Sequence, residues 1–207
     1  MVVHDWSGCS EFARGKAEKV ADLGYVGFAV DMYGDGKTVT DVKDKTALIQ
    51  PLLENRALLL ARITTALDTI KTISQVDITR IAAIGFCFGG LCALDLARNG
   101  ADIRGAVSFH GNLTPPQKTA PSPGSITPSI LALHGYEDPM VPSAQVDAFN
   151  QEMTAAKADW QVHIYGNTQH SFTNPQANHP DMGLLYNKNA DRRSWQTMKN
   201  FLAEIFA

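Results

Sequence analysis

Cysteine is scarce in this chain: Cys9, Cys87 and Cys92 are the three among 207 residues. So small a set builds no disulfide framework, and its spacings do not resemble a zinc site. Charge of one sign is equally lacking. A formal net charge of −3 leaves no basic footprint for nucleic acid and no polybasic patch for a membrane surface. No apolar run approaches the roughly 20 residues that span a bilayer. The opening "MVVHDWSGCSEF" reaches a charge and a glycine too early for a signal peptide. Together these absences point to a reducing, cytoplasmic setting in which at least one thiol stays free.

What is there is an alternation of short apolar runs with longer stretches of helical period. That is the pattern of a parallel sheet with helices on both faces, and the length suits a single domain over 1–207. "MVV", "YVGFAVDMYG", "RIAAIGF", "RGAVSFHG", "SILALHG" and "WQVHIYG" read as six strands. Helices are expected over about 10–23, over about 50–73 with Pro51 in the first turn, after Cys87 up to Gly100, over about 143–157, and over 191–206. In the last of these Trp195, Met198, Leu202 and Ile205 face inward. The Pro-, Ser- and Gly-rich "NLTPPQKTAPSPGSITP" reads as a surface loop, and so does "NPQANHPDMGLLYN".

One of the three cysteines stands where the chain turns hardest. In "RIAAIGFCFGGLCALDLARNG" a strand runs into Gly85-Phe86-Cys87-Phe88-Gly89 and leaves as a helix. This fits the nucleophile elbow, with Cys in place of Ser. Small residues two before and two after let strand and helix approach, and the helix start offers backbone N–H groups and a positive dipole end. Asp138 follows the fifth strand in "LALHGYEDPMVP", and His170 follows the sixth in "VHIYGNTQHSF". Both fall at the carboxyl ends of parallel strands, where such sheets hold ligands. The chain order of nucleophile, acid and histidine is the one expected of an α/β-hydrolase. In this arrangement His170 takes the thiol proton and Asp138 fixes its tautomer. Glu137 competes with Asp138 for the acid role. His4, His110, His134 and His163, in or beside strands, are expected as satisfied core histidines, with His4 and His110 also candidates for a pocket wall. His179 is expected in a solvated loop.

These stretches, with "VVHDWSG", "VADLGYVGFAVDMYGDG" and "HSFTNP", resemble the dienelactone hydrolase family of α/β-hydrolases over nearly the whole chain. The resemblance implies a three-layer α/β/α sandwich and a hydrolase of carboxylic esters or lactones. It needs neither metal nor organic cofactor, and it forms a thioester on Cys87 with Asp138 as acid and His170 as base. It also implies an acidic residue beside the thiol, here Asp5, and an oxyanion hole from the backbone N–H groups of Trp6 and Phe88. Members acting on dienelactone hold the substrate carboxylate with arginines. Here Thr173 and Asn174 occupy one such place, and Arg56 lies in the region of the other. The family also has two strands before the one that ends in "VHDW". Without them the Tyr25–Val30 segment is left on the sheet edge, so either a segment upstream of this chain or a homodimer is expected to cover it.

Other roles stay open. Tyr33, Phe109, His110, Tyr136 and Phe172 follow strand ends and are candidates for the substrate pocket, with ordinary packing as the alternative. Cys92 is expected to pack in the core. Cys9 either packs or sits at the rim of the site. Asp5 either steers the thiol, or caps the first helix or binds water. A thiol-based redox or electrophile sensor, with Cys9 resolving Cys87, is the second functional reading.

Overall fold

Val2 and Val3 are adjacent, yet they pack into two different cores, because successive side chains of a strand point to opposite faces. The same split recurs at Ala83 against Ala82 and Ile84, and at Ala106 against Val107. A computed structural model, describing residues 1–116 and 121–207, shows how this comes about. The strands β1 (Val2–Val3), β2 (Ala29–Val30), β3 (Ala82–Phe86), β4 (Gly105–Phe109), β5 (Ser129–Gly135) and β6 (Trp160–Tyr165) form one sheet in the order β2-β1-β3-β4-β5-β6. Every pairing in it is parallel. Residues 117–120, part of the expected surface loop, lie outside the described residues.

Helices α1 (Glu11–Ala21) and α6 (Lys188–Ile205) cover one face through Ala17, Val20, Met198, Phe201 and Leu202. Helices α2 (Val42–Glu54), α3 (Arg56–Lys71), α4 (Phe88–Arg98) and α5 (Ser143–Ala155) cover the other. The result is the expected three-layer α/β/α sandwich with six parallel strands. β3 and β4 are buried along their whole length, as continuous apolar runs in a parallel sheet should be.

Three details differ from the sequence reading. The single helix expected over 50–73 is two helices. Asn55 leaves helical geometry (φ −119°, ψ 82°) and caps α3 by accepting from Leu58 N–H at 3.0 Å, so Pro51 lies inside α2 rather than at a helix start. The second strand shrinks to two residues. β2 is outermost, as expected, but only Ala29 and Val30 of that run make ladder pairs, so a second copy would find a short edge there. The expected plain loop before α6 contains a small antiparallel pair, β7 (Asn178–His179) with β8 (Leu184–Leu185), joined by a 3-10 turn over Pro180–Met182.

Candidate active site

β3 delivers Cys87 to the carboxyl end of the sheet in a backbone conformation that L-residues avoid, φ 54° and ψ −113°. The strain is held from both sides. Cys87 N–H donates to the Phe109 carbonyl at 2.9 Å, and the Cys87 carbonyl accepts from Gly90 N–H at 3.0 Å to open α4. Crossing β3 into α4 this tightly requires the flanking glycines. A Cβ at Gly85 would stand 1.9 Å from the Gly89 carbonyl oxygen, and one at Gly89 would stand 2.3 Å from the Val3 carbonyl oxygen.

Asp138 lies on the loop after β5 and His170 on the loop after β6, and the two loops are bonded together. Glu137 N–H donates to the Thr168 carbonyl and Tyr136 N–H to the Tyr165 carbonyl, both at 2.9 Å. Gly135 permits the approach, since a Cβ there would lie 2.5 Å from the Thr168 carbonyl oxygen. His170 Nδ1 meets Asp138 Oδ2 at 2.7 Å with both side chains buried, while Asp138 Oδ1 accepts from Met140 N–H at 2.8 Å. Glu137, the other carboxylate of that loop, is exposed and has no bond to His170.

His170 Nε2 is buried and makes no aligned hydrogen bond in this state, yet it feels the Cys87 thiol. Burial by itself would pull the imidazole down. The Cys87 charge, and then the Asp138 carboxylate that accepts from Nδ1, outweigh it and push His170 up to about 10.

His170 is supported by parts that the sequence did not reveal. Its carbonyl accepts from Leu185 N–H at 3.0 Å, so the β7–β8 pair clips the histidine loop. The apolar pair Leu184–Leu185 in an otherwise polar segment was the available signal. Behind the imidazole, the His110 ring sits edge-on at 4.9 Å between centroids, and His110 Nε2 pairs with Thr173 Oγ1 at 2.8 Å. Burial first, and then the nearby His170 charge, keeps His110 well below the usual histidine range.

The remaining candidates sort by exposure. Phe109, His110 and Phe172 are buried rather than open to a substrate pocket: Phe109 stacks on Phe86 in the core, and His110 packs between His170 and Phe172. Tyr136 is 69% exposed, with its ring in solvent. Tyr33 is buried against His4 and Phe88. Asp5 Oδ1 accepts from its own Ser7 N–H at 2.8 Å, so its carboxylate holds the loop. His163 is exposed, not a core histidine, because β6 is an edge strand. His4 and His134 are buried and His179 is exposed, as expected.

Neither Trp6 N–H nor Phe88 N–H has an acceptor among the described residues. Arg56 is committed elsewhere: it grips the buried Asp95 carboxylate with two bonds of 2.6 Å. All three cysteines are free; Cys92 is buried, and burial followed by Asp31 raises the half-buried Cys9 thiol. Among the described residues no His, Cys, Asp or Glu cluster is suited to a metal ion, and no helix is long and apolar enough to cross a membrane.

A parallel sheet carrying a strained cysteine elbow on β3, an acid after β5 and a histidine after β6 defines an α/β-hydrolase. Comparison with known proteins narrows this. A solved structure named m3DLH superposes with a TM-score of 0.93 at 40% identity, covering 100% of this chain and 85% of that one. A dienelactone hydrolase-like promiscuous phosphotriesterase from metagenomic libraries superposes with a TM-score of 0.92, also at 40% identity, covering 99% of this chain and 84% of that one. A Caenorhabditis elegans protein of uncharacterized function is 42% identical over 148 residues, which is 70% of this chain and 93% of that one. A putative carboxymethylenebutenolidase of Yersinia pestis is 23% identical across 99% of this chain and 77% of its own length. The chain belongs to the dienelactone hydrolase family, whose profile matches residues 1–206. It is a hydrolase of that kind.

Proposed function

We propose that the chain hydrolyses neutral carboxylic esters or lactones through a thioester on Cys87. The observation that carries this reading is the 2.7 Å Asp138–His170 bond, which leaves Nε2 unbonded and coupled to the thiol on the strained elbow. With the thiol proton already resting on Nε2, the thiolate sulfur attacks the carbonyl carbon. The carbonyl π electrons move to oxygen, where Trp6 and Phe88 N–H receive the charge; each such donor is worth about 3–4 kcal/mol. The C–O bond then breaks, the Nε2 proton goes to the leaving alkoxide, and a thioester remains. Nε2 next takes a proton from water, the hydroxide adds to the thioester carbon, and breaking the C–S bond returns the thiolate.

Neutrality of the substrate is supported by the two arginine positions. Arg56 is held by Asp95, and Thr173 is buried against His110. Phosphotriester hydrolysis is a second reading, supported by the 40% identical metagenomic phosphotriesterase; the same thiolate and N–H donors suit a phosphoryl centre. The sensor reading is weaker, because Cys92 is buried and burial raises the Cys9 thiol.

The test compares the wild type with Cys87→Ala on a p-nitrophenyl ester, on dienelactone and on a neutral phosphotriester, with intact mass taken during turnover. An acyl adduct on the wild type and loss of ester turnover in the variant are expected. Equal ester rates in the two proteins would overturn the proposal.

A further inference from the structure

The two N–H groups proposed to receive the substrate oxygen are secured by different means. Phe88 N–H opens α4 and is fixed by the helix. Trp6 N–H sits on the irregular turn 4–8, which has no ladder of its own. Within the turn Asp5 Oδ1 accepts from Ser7 N–H at 2.8 Å and the Asp5 carbonyl from Gly8 N–H at 3.4 Å, and the loop over residues 31–39 braces it from outside. His4 Nε2 accepts from Met32 N–H at 3.0 Å, so the ring proton is on Nδ1, and Nδ1 donates to the Asp5 carbonyl at 2.5 Å. That carbonyl and the Trp6 N–H belong to one planar peptide and point in opposite directions. Gripping the oxygen therefore aims the hydrogen. The next peptide is held likewise: the Tyr33 hydroxyl donates to the Trp6 carbonyl at 3.0 Å. Val39 N–H closes the turn on the Ser7 carbonyl at 3.0 Å, and Gly8 pairs with Thr38.

Tyr33 also reaches the second donor. Its ring stacks on Phe88 with centroids 6.0 Å apart and planes at 19°, and it leans on His4 at 4.7 Å. The ring thus touches a side chain on each donor's segment while the hydroxyl fixes the turn. The Asp31 carboxylate anchors Tyr33 in turn, accepting from its N–H and from those of Gly34 and Gly36. We infer that Tyr33 and His4 are positioning residues for the oxyanion hole: His4 orients the peptide carrying Trp6 N–H, and Tyr33 locks that turn against Phe88. The inference rests on the proposed thioester mechanism. It gives Tyr33 a part other than the pocket wall expected from its place after the second strand.

The experiment uses Tyr33→Phe, which keeps the ring and removes one oxygen, beside Cys87→Ala and the wild type. Three quantities are read: kcat and KM on a neutral p-nitrophenyl ester, the rate of thiol alkylation by iodoacetamide, and the inhibition constant of an alkyl trifluoromethyl ketone. In that ketone adduct the Cys87 sulfur adds to the carbonyl carbon and the oxygen takes the negative charge, whereas alkylation develops no oxyanion. The expected result for Tyr33→Phe is a kcat roughly 10- to 100-fold lower with KM little changed, since misplacing a catalytic group by an ångström is worth about this much. The ketone should bind more weakly by a similar factor, and alkylation should proceed at the wild-type rate. A wild-type kcat and ketone affinity in Tyr33→Phe would overturn the inference, as would alkylation that slows in step with kcat. If instead Cys87→Ala keeps the wild-type ester rate, the mechanism falls, and this inference falls with it. A Tyr33→Phe protein that folds poorly is still judged by its ketone inhibition constant, which reads only working sites, with the alkylation rate taken from the loss of esterase activity rather than from total thiol modified.

Discussion

His170 Nδ1 and Asp138 Oδ2, brought together from loops after two different strands, lie 2.7 Å apart with both side chains buried. The carboxylate therefore holds Nδ1 and leaves Nε2 as the nitrogen that the proposed mechanism turns to the thiol. Asp138→Asn keeps the shape but replaces an ionic acceptor with an amide, freeing the ring to adopt the wrong tautomer. Ester turnover is expected to fall about 10²- to 10⁴-fold with little change in KM. Steady-state kinetics on a p-nitrophenyl ester decide it, and a variant within a few-fold of wild type would remove Asp138 from the mechanism.

The strained elbow sets stability against reactivity. At φ 54° and ψ −113° Cys87 occupies a region that costs of order 1–3 kcal/mol for a residue with a Cβ and little for glycine. Cys87→Gly is therefore expected to be more stable than Cys87→Ala by about 1 kcal/mol, part of the relief being offset by the freer unfolded chain. Both should be inactive. Urea unfolding of the pair measures it, and equal midpoints would mean that the turn carries no such strain.

The His170 imidazole supplies a pH signature. Its value rises from 6.5 to about 10 on folding, so the stability it contributes is fully present below about pH 6.5 and is lost as pH climbs toward 10. In Cys87→Ala burial still pulls the ring down, while the raising contributions of the thiol are gone. The His170 midpoint, followed by NMR of the ring protons, is expected to fall in that variant. An unchanged midpoint would show that the thiol and the imidazole do not communicate.

On the opposite side of α4, Asp95 holds Arg56 through two bonds of 2.6 Å and meets Arg98 at 3.3 Å, while Arg98 also pairs with Glu152 at 2.7 Å. Asp95→Ala leaves two guanidinium groups short of a buried partner and is expected to cost about 3 kcal/mol by urea unfolding. Arg56→Ala should leave KM for an anionic lactone unchanged, because that guanidinium is spent on Asp95. A large rise in KM would return Arg56 to the substrate.

Much of this architecture was written locally, and so it was legible. The glycines at 85 and 89, the apolar run before them and the helix after them lie in one continuous stretch, and the acid and histidine positions follow from the parallel-sheet rule. What escaped depends on partners distant in the chain. Phe109 and Phe172 follow strand ends just as a pocket residue would; only the packing of α6 against that face tells which way they point. The break at Asn55 hides inside an unbroken helical period, since a cap residue interrupts the backbone without interrupting the apolar stripe. The clip of Leu185 onto His170 joins two segments that both read as plain loop.

The groups assigned to the reaction are strung along the chain, with Cys87 first, Asp138 next and His170 last. As the polypeptide emerges from the ribosome, the cysteine is present well before the base that activates it, and the β7–β8 clip comes later still. Until then it is an ordinary thiol, mostly protonated at neutral pH and not yet held on a finished bend. Under the proposed mechanism, reactivity is thus timed by synthesis: the last stretch of the fold switches it on.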